Sequence, residues 1–143
     1  MSYLDDFEHS FMQHTLQIVR QYQGEYDATL LINCLLGLLV VPKEKFLEAV
    51  PEEPLSKLKK WGIDPKSIEC TGRSHDGNLR PDTLRGLVIN LRHAVAHCLL
   101  EPVSENNEVH SFRFSNGSGM RAVIKLKQLR VFVERLAEYL DQH

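Results

Sequence analysis

The segment from Ala28 to Val41 sets the first limit on the fold. It is apolar apart from Thr29, Asn33 and Gly37, and Pro42 closes it. At about 1.5 Å of rise per helical residue it falls well short of the roughly 30 Å core of a bilayer. A helix apolar nearly all round must be covered on all sides. The spacing therefore predicts a central core helix with amphipathic helices packed around it. Thr29, Asn33 and Gly37, at i, i+4 and i+8, form one narrow stripe on it. Gly37 lets a neighbouring backbone come close, and a buried Asn33 needs hydrogen-bond partners. The stripe reads either as a close helix–helix contact or as bringing Asn33 up to a ligand from beneath.

The surrounding elements follow from periodicity. A first helix is expected over Tyr3 to Gln23, with Ser2 and Asp5 placed like a capping box and an apolar stripe of Leu4, Phe7, Phe11, Ile18 and Tyr22, with His14 at its edge. Gly24 ends it, and Asp27 caps the core helix. Residues 43–69 read as short helices and turns, with Lys57, Lys59 and Lys60 as a solvated face. Thr71 to Arg80 has the Gly, Asn and Ser content of a loop. Its Arg73, His75 and Arg80 are either exposed loop charges or cations that close over a bound polyanion. From Val109 to Leu126 the period changes to two around the turn Asn116-Gly117-Ser118-Gly119, predicting a β-hairpin with Arg113, Arg121 and Lys125 outward. Leu129, Phe132, Val133, Leu136 and Leu140 mark a last amphipathic helix. The expected fold is mainly α, an antiparallel helical bundle with a small C-terminal β-hairpin, in one domain over residues 1–143.

Bulk composition narrows the function classes. The 143-residue chain is 43% hydrophobic and 25% charged with a formal net charge of −2, values of a soluble globular protein with no global attraction to nucleic acid or membrane. The charges are uneven: residues 1–70 carry 7 basic and 11 acidic side chains, residues 71–143 carry 10 and 8. Between Val109 and Val133 there are five Lys or Arg and no acid, compatible with phosphate binding at one surface. Cys34, Cys70 and Cys98 are odd in number and lack CxxC spacing. Free thiols and the absence of an apolar leader after Met1 point to a reducing cytoplasm.

The most informative helix is expected from Pro81 to Pro102. Leu84, Leu87, Val88, Leu91, Val95, Cys98 and Leu99 form its buried stripe. The opposite side holds Asp82, Arg85, Gly86, Ile89, Asn90, Arg92, His93, Ala96 and His97, with neither Lys nor Glu between Leu84 and Leu100. An ordinary solvated face carries those residues. This face suits cover by another chain or by a ligand, with Arg85 among the candidate ligand-binding cations.

Arg92 and His97 together offer a specific chemistry. Histidine suits proton transfer because its unperturbed pKa is ~6.5. Arginine suits phosphate because its charge is permanent and its donors lie in parallel. A 2′-hydroxyl nucleophile is built into RNA, so a permanent cation and an imidazole suffice to cut it without a metal, leaving a 2′,3′-cyclic phosphate and a 5′-hydroxyl. On a helix the two residues differ by about 140° in direction and ~7.5 Å along the axis. A twofold pairing of two such helices would gather two arginines and up to four histidines in one cleft.

Leu91-Arg92-His93-Ala94-Val95-Ala96-His97, in this setting, resembles the motif of the HEPN superfamily: an Arg, a polar residue, and a His four to six positions after the Arg. The run Leu30 to Pro42 and the hairpin with its following helix are similar to a small plasmid- and defence-associated branch of that superfamily. The resemblance implies an all-α domain that forms a homodimer with a composite site and cleaves RNA without a metal or other cofactor. It also implies roles in toxin–antitoxin or anti-phage systems, hence a cognate antitoxin or inhibitor as partner. Arg92, His97 and His93 take the catalytic positions. Arg85, Arg73, Arg80 and Asn33 are the substrate-binding candidates. At His93 many members have Asn, so here a second imidazole accompanies the first.

Other readings compete with this one. His93 and His97 at i, i+4 have metal-ligand spacing, but position 94 is Ala, which removes the HExxH hydrolase pattern, and no third ligand is evident. No nucleophile elbow or Gly-rich phosphate loop is present. The competing reading from another class is a non-catalytic dimer that binds nucleic acid or protein through the same Arg/His face.

Overall fold

The departure from expectation is a four-stranded antiparallel sheet. The computed structural model describes residues 7–22, 27–40, 50–70, 83–115 and 120–142. Within them lie helices α1 (Phe7–Gln21), α2 (Asp27–Val40), α3 (Leu84–Ala96) and α4 (Leu126–Gln142). Strands β1 (Ile68–Cys70), β2 (Leu100–Glu105), β3 (Glu108–Ser115) and β4 (Met120–Lys125) form one sheet in the order β1-β4-β3-β2. This is a helix-rich α+β fold, which corrects the expected helical bundle with a small hairpin. The hairpin lies where the alternation puts it, as β3 and β4, but it is the centre of a sheet.

The two unexpected strands have different origins. β1 is three residues long, too short to show a period. β2 occupies a stretch expected to end a helix, and it is formed by a tight turn. Asn106 and Asn107 have φ of 52° and 65°, the backbone of a two-residue type I′ turn, which Asn tolerates better than most residues. β2 is an outer strand. It contains Pro102, and its register with β3 shifts between Val103 and Ser104.

The sheet has one apolar face. Ile68, Ala122, Phe114 and Leu100 stand in one row across the four strands, and Ile124, Phe112 and Pro102 in the next. Phe112, Phe114, Ala122 and Ile124 are buried with Leu129, Phe132 and Val133 of α4 in the common core. The opposite rows read Glu69, Arg121, Ser115 and Val123, Arg113, Glu101. Glu69, Glu101, Arg113, Arg121 and Val123 are exposed, and alternation along β4, and from Phe112 to Phe114 on β3, separates core from open surface.

The helices close the core from the other side. α1 buries Met12, Thr15 and Val19, whereas Ile18 is 50% exposed. The expected stripe through Ile18 is thus turned away from the true one. The Arg130 guanidinium donates to the Val19 carbonyl at 2.6 Å, and Arg20 pairs with Glu138, tying α1 to α4. A Cβ on Gly37 would stand 2.7 Å from Cζ of Phe11, which marks the close α1–α2 approach. Yet α2 is not enclosed as expected: Leu31, Cys34, Leu35 and Gly37 are buried, and Thr29, Asn33 and Leu36 are exposed. Asn33 therefore needs no buried partner.

Residues 50–63 position the start of α3. A 3-10 helix, Leu55–Trp61, ends on Gly62 at φ 90°, and Trp61 meets the Tyr139 ring edge-on at 5.6 Å. Glu53 lies at its base. Its carboxylate accepts from Lys60 Nζ at 2.7 Å and from Trp61 Nε1 at 3.3 Å, while its carbonyl accepts from the Leu84 amide at 2.7 Å. Lys60, then Trp61, hold the Glu53 carboxyl below its ordinary range against the opposing effect of burial.

Candidate active site

Both ends of α3 are fixed by local chemistry. Thr83 is the N-cap, and its Oγ1 accepts from the Gly86 amide at 3.1 Å. The helix ends at Ala96 with His97 as C-cap, well short of the expected stop at Pro102. The Cys98 amide donates to the Val95 carbonyl at 3.2 Å and the Leu99 amide to the Ala94 carbonyl at 2.7 Å. These are the two bonds of a Schellman motif, which places the residue after the C-cap in the left-handed region. That residue is Cys98, at φ 57°. Glycine usually stands there. Without it, Cys98 and Leu99 read in the sequence as more of the buried stripe. Instead both are exposed, and the chain turns directly into β2.

The reversal leaves α3 with two unlike faces. Leu84, Leu87, Val88, Leu91, Ala94 and Val95 are buried. Asn90, expected on the polar side, is 1% exposed and donates to the Gly86 carbonyl at 2.7 Å. The opposite arc, about 140° wide at 100° per residue, holds Arg85, Gly86, Ile89, Arg92, His93, Ala96 and His97. Arg85, Ile89 and Arg92 on it are part-buried, and His93, Ala96 and His97 are exposed.

Along that arc the candidate residues separate into two groups. Arg85 is occupied within the chain: its Nε donates to the Val50 carbonyl at 2.8 Å, and its Nη1 to Glu52 at 2.9 Å. It anchors residues 50–52 over the N-terminal end of the face and is not positioned as a free phosphate ligand. At the C-terminal end, His93 and His97 are exposed with ring centroids 4.3 Å apart and planes at 45°. Arg92, one residue before His93, is part-buried and has no ion-pair partner among the described residues. The helix thus carries two neighbouring imidazoles at its C-terminal end and a part-buried guanidinium on the same arc. Asn33 lies on the exposed side of α2. Arg73, His75 and Arg80 lie outside the described residues.

The arrangement suits proton transfer at an anion. A guanidinium can hold a phosphate while an imidazole exchanges a proton with it or with a neighbouring hydroxyl. His93 and His97 supply two donors to a metal, and no group of three or more His, Cys, Asp or Glu that could hold an ion occurs among the described residues. Nor is any helix among them long and apolar enough to cross a membrane. Cys34 and Cys98 are free thiols. Burial pushes the Cys34 thiol up, partly offset by Arg130.

A further surface adjoins the end of α3. A groove of about 770 Å³ opens on the exposed sheet face, lined among others by Cys98, Leu99, Glu101, Arg113, Arg121 and Val123. The outward alternation of the hairpin marks Arg113 and Arg121. It gives no hint that β2 brings the residue after His97 to the same groove.

With this geometry in place, comparison with known proteins is specific at one level. A family model described as HEPN pEK499 p136 matches residues 1–143, the whole chain, and the chain belongs to that family. No curated protein and no solved structure matches it.

Proposed function

We propose that this HEPN-family chain is a metal-independent endoribonuclease that acts as a homodimer, with a composite site formed where two copies of α3 meet. The supporting observation is the exposed end of α3. His93 and His97 share it with imidazoles 4.3 Å apart, and Arg92, part-buried on the same arc, has no ion pair among the described residues. Family membership supports a nuclease or nucleotide-binding module. Arg92 holds the scissile phosphate, and His97 removes the 2′-hydroxyl proton or protonates the leaving 5′-oxygen. His93 assists or orients it. Cleavage leaves a 2′,3′-cyclic phosphate and a 5′-hydroxyl. A role in a toxin–antitoxin or anti-phage system in the cytoplasm, with a cognate inhibitor, is the biological setting that fits this activity.

The experiment is cleavage of end-labelled RNA in EDTA by the wild type, Arg92→Ala and His97→Ala. A fall of at least about 100-fold in both variants is expected, on the scale of roughly 10² to 10⁴ for removal of an acid/base or charge-stabilising group. Equal cleavage by all three proteins would trace the activity to a contaminant and end the proposal.

A further inference from the structure

The groove on the open sheet face is built from elements that the Arg92/His97 site does not use. Its floor is two rows of the sheet. Arg121 on β4 lies between Glu69 and Ser115, and Arg113 on β3 lies between Val123 and Glu101. Because Arg113 pairs with Val123 and Arg121 with Ser115, the two arginines are diagonal neighbours, about 7–8 Å apart at the backbone. Lys66 lines the rim of the same groove.

Charge distinguishes the occupant. Arg113 is 3.6 Å from Glu101, so that acid is already engaged. Arg121 and Lys66 form no ion pair among the described residues, although Glu69 stands beside Arg121 in the sheet. The cations thus outnumber the acids lining the groove, and two of them have no ion pair among the described residues. Leu99 and Val123, 40% and 39% exposed, are two separate apolar points on the groove wall against which a sugar or base can rest. None of the lining residues is a large aromatic, so stacking selectivity is not built in.

Position connects this surface with the catalytic proposal. Cys98, the residue after His97, lines the groove, and the Schellman turn fixes that junction. We propose that the groove holds the phosphate backbone of single-stranded RNA continuing from the α3 site, with Arg121 and Lys66 contacting phosphates. This rests on the ribonuclease reading for the direction of the strand but not for the binding itself. The substrate is then a strand at least several nucleotides long, bound through its backbone with little base preference.

The test is fluorescence anisotropy of a labelled single-stranded RNA, about 12 nucleotides long to exceed one groove-sized site, over a salt series. The full chain carries His97→Gln to prevent cutting. Removing one phosphate-binding cation should lower the slope of log K against log salt by ~0.7. Arg121→Gln and Lys66→Gln are each expected to show that reduction with about three- to tenfold weaker binding, and Arg121→Lys to retain most of both. Unaltered melting temperatures confirm that these exposed substitutions leave the fold intact. Affinity and slope equal to the parent in both Gln variants would overturn the groove proposal, as would absence of RNA binding by the parent. If those variants bind RNA normally but no longer bind a polyglutamate peptide, the surface belongs to an acidic protein partner and the RNA assignment falls. RNA binding abolished in Arg121→Gln, in a protein whose wild type never cleaves, would retain the groove and refute the nuclease reading.

Discussion

Cys98 carries an unusual backbone burden. A side chain in the left-handed region costs roughly 1–2 kcal/mol, and glycine escapes that cost. Cys98→Gly should therefore stabilise the fold by about 0.5–1 kcal/mol, once the greater freedom of glycine when unfolded is subtracted. Cys98→Val should destabilise it, because β-branching makes the same backbone harder to hold. Urea unfolding of the three proteins checks both signs, and a Cys98→Gly protein less stable than the parent would refute the account. Glu53 gives a second residue-scale outcome. Its carboxyl is held low in the folded state, chiefly by Lys60 and with help from Trp61. The associated stability is present above the unfolded-state value, ~4.3 for Glu, and is lost as pH falls through the lower folded value. Melting temperature, followed from near neutrality to below that value, should fall more steeply for the wild type than for Glu53→Gln. Parallel curves would show that the Lys60 ion pair contributes nothing.

The elements show where the sequence is readable. α4 follows its period and buries the expected Leu129, Phe132, Val133, Leu136 and Leu140. β3 and β4 follow theirs. α3 is legible in its middle, where Leu84, Leu87, Val88, Leu91 and Val95 are all buried, and so is the grouping of Arg92, His93 and His97 on its open arc. Its end is not legible, because the stop is a hydrogen-bond pattern with cysteine where glycine normally signals it. α1 differs from expectation in phase: Thr15, a polar residue, is buried between Met12 and Val19, and Ile18 is not. Arg85 reads as a free cation in the sequence because its partners, Val50 and Glu52, lie more than thirty residues away and no local pattern reveals them. At this scale the N-cap is testable. Thr83→Ala removes the acceptor for the Gly86 amide and should cost about 1 kcal/mol, with Thr83→Ser close to wild type. Equal destabilisation in both variants would point to Thr83 packing, not to the cap.

For the whole molecule the central expectation is association. The open arc of α3 combines Ile89 and Ala96 with Arg92 and His97, and it carries no Lys or Glu to hold it in water. If two copies pair there, Ala96→Glu should convert a dimer to a monomer with little change in melting temperature beyond that due to dissociation, read by light scattering across a concentration series. A wild type that scatters as a monomer at every concentration would remove the composite site. The sheet bears on the same question. Its outer strand β2 contains Pro102, which has no N–H to offer, and the shift at Val103 and Ser104 breaks the regular spacing of its free edge. A second chain cannot zip along such a strand. Copies of this protein are thereby steered away from any continuous cross-chain ribbon that would have to run through this edge.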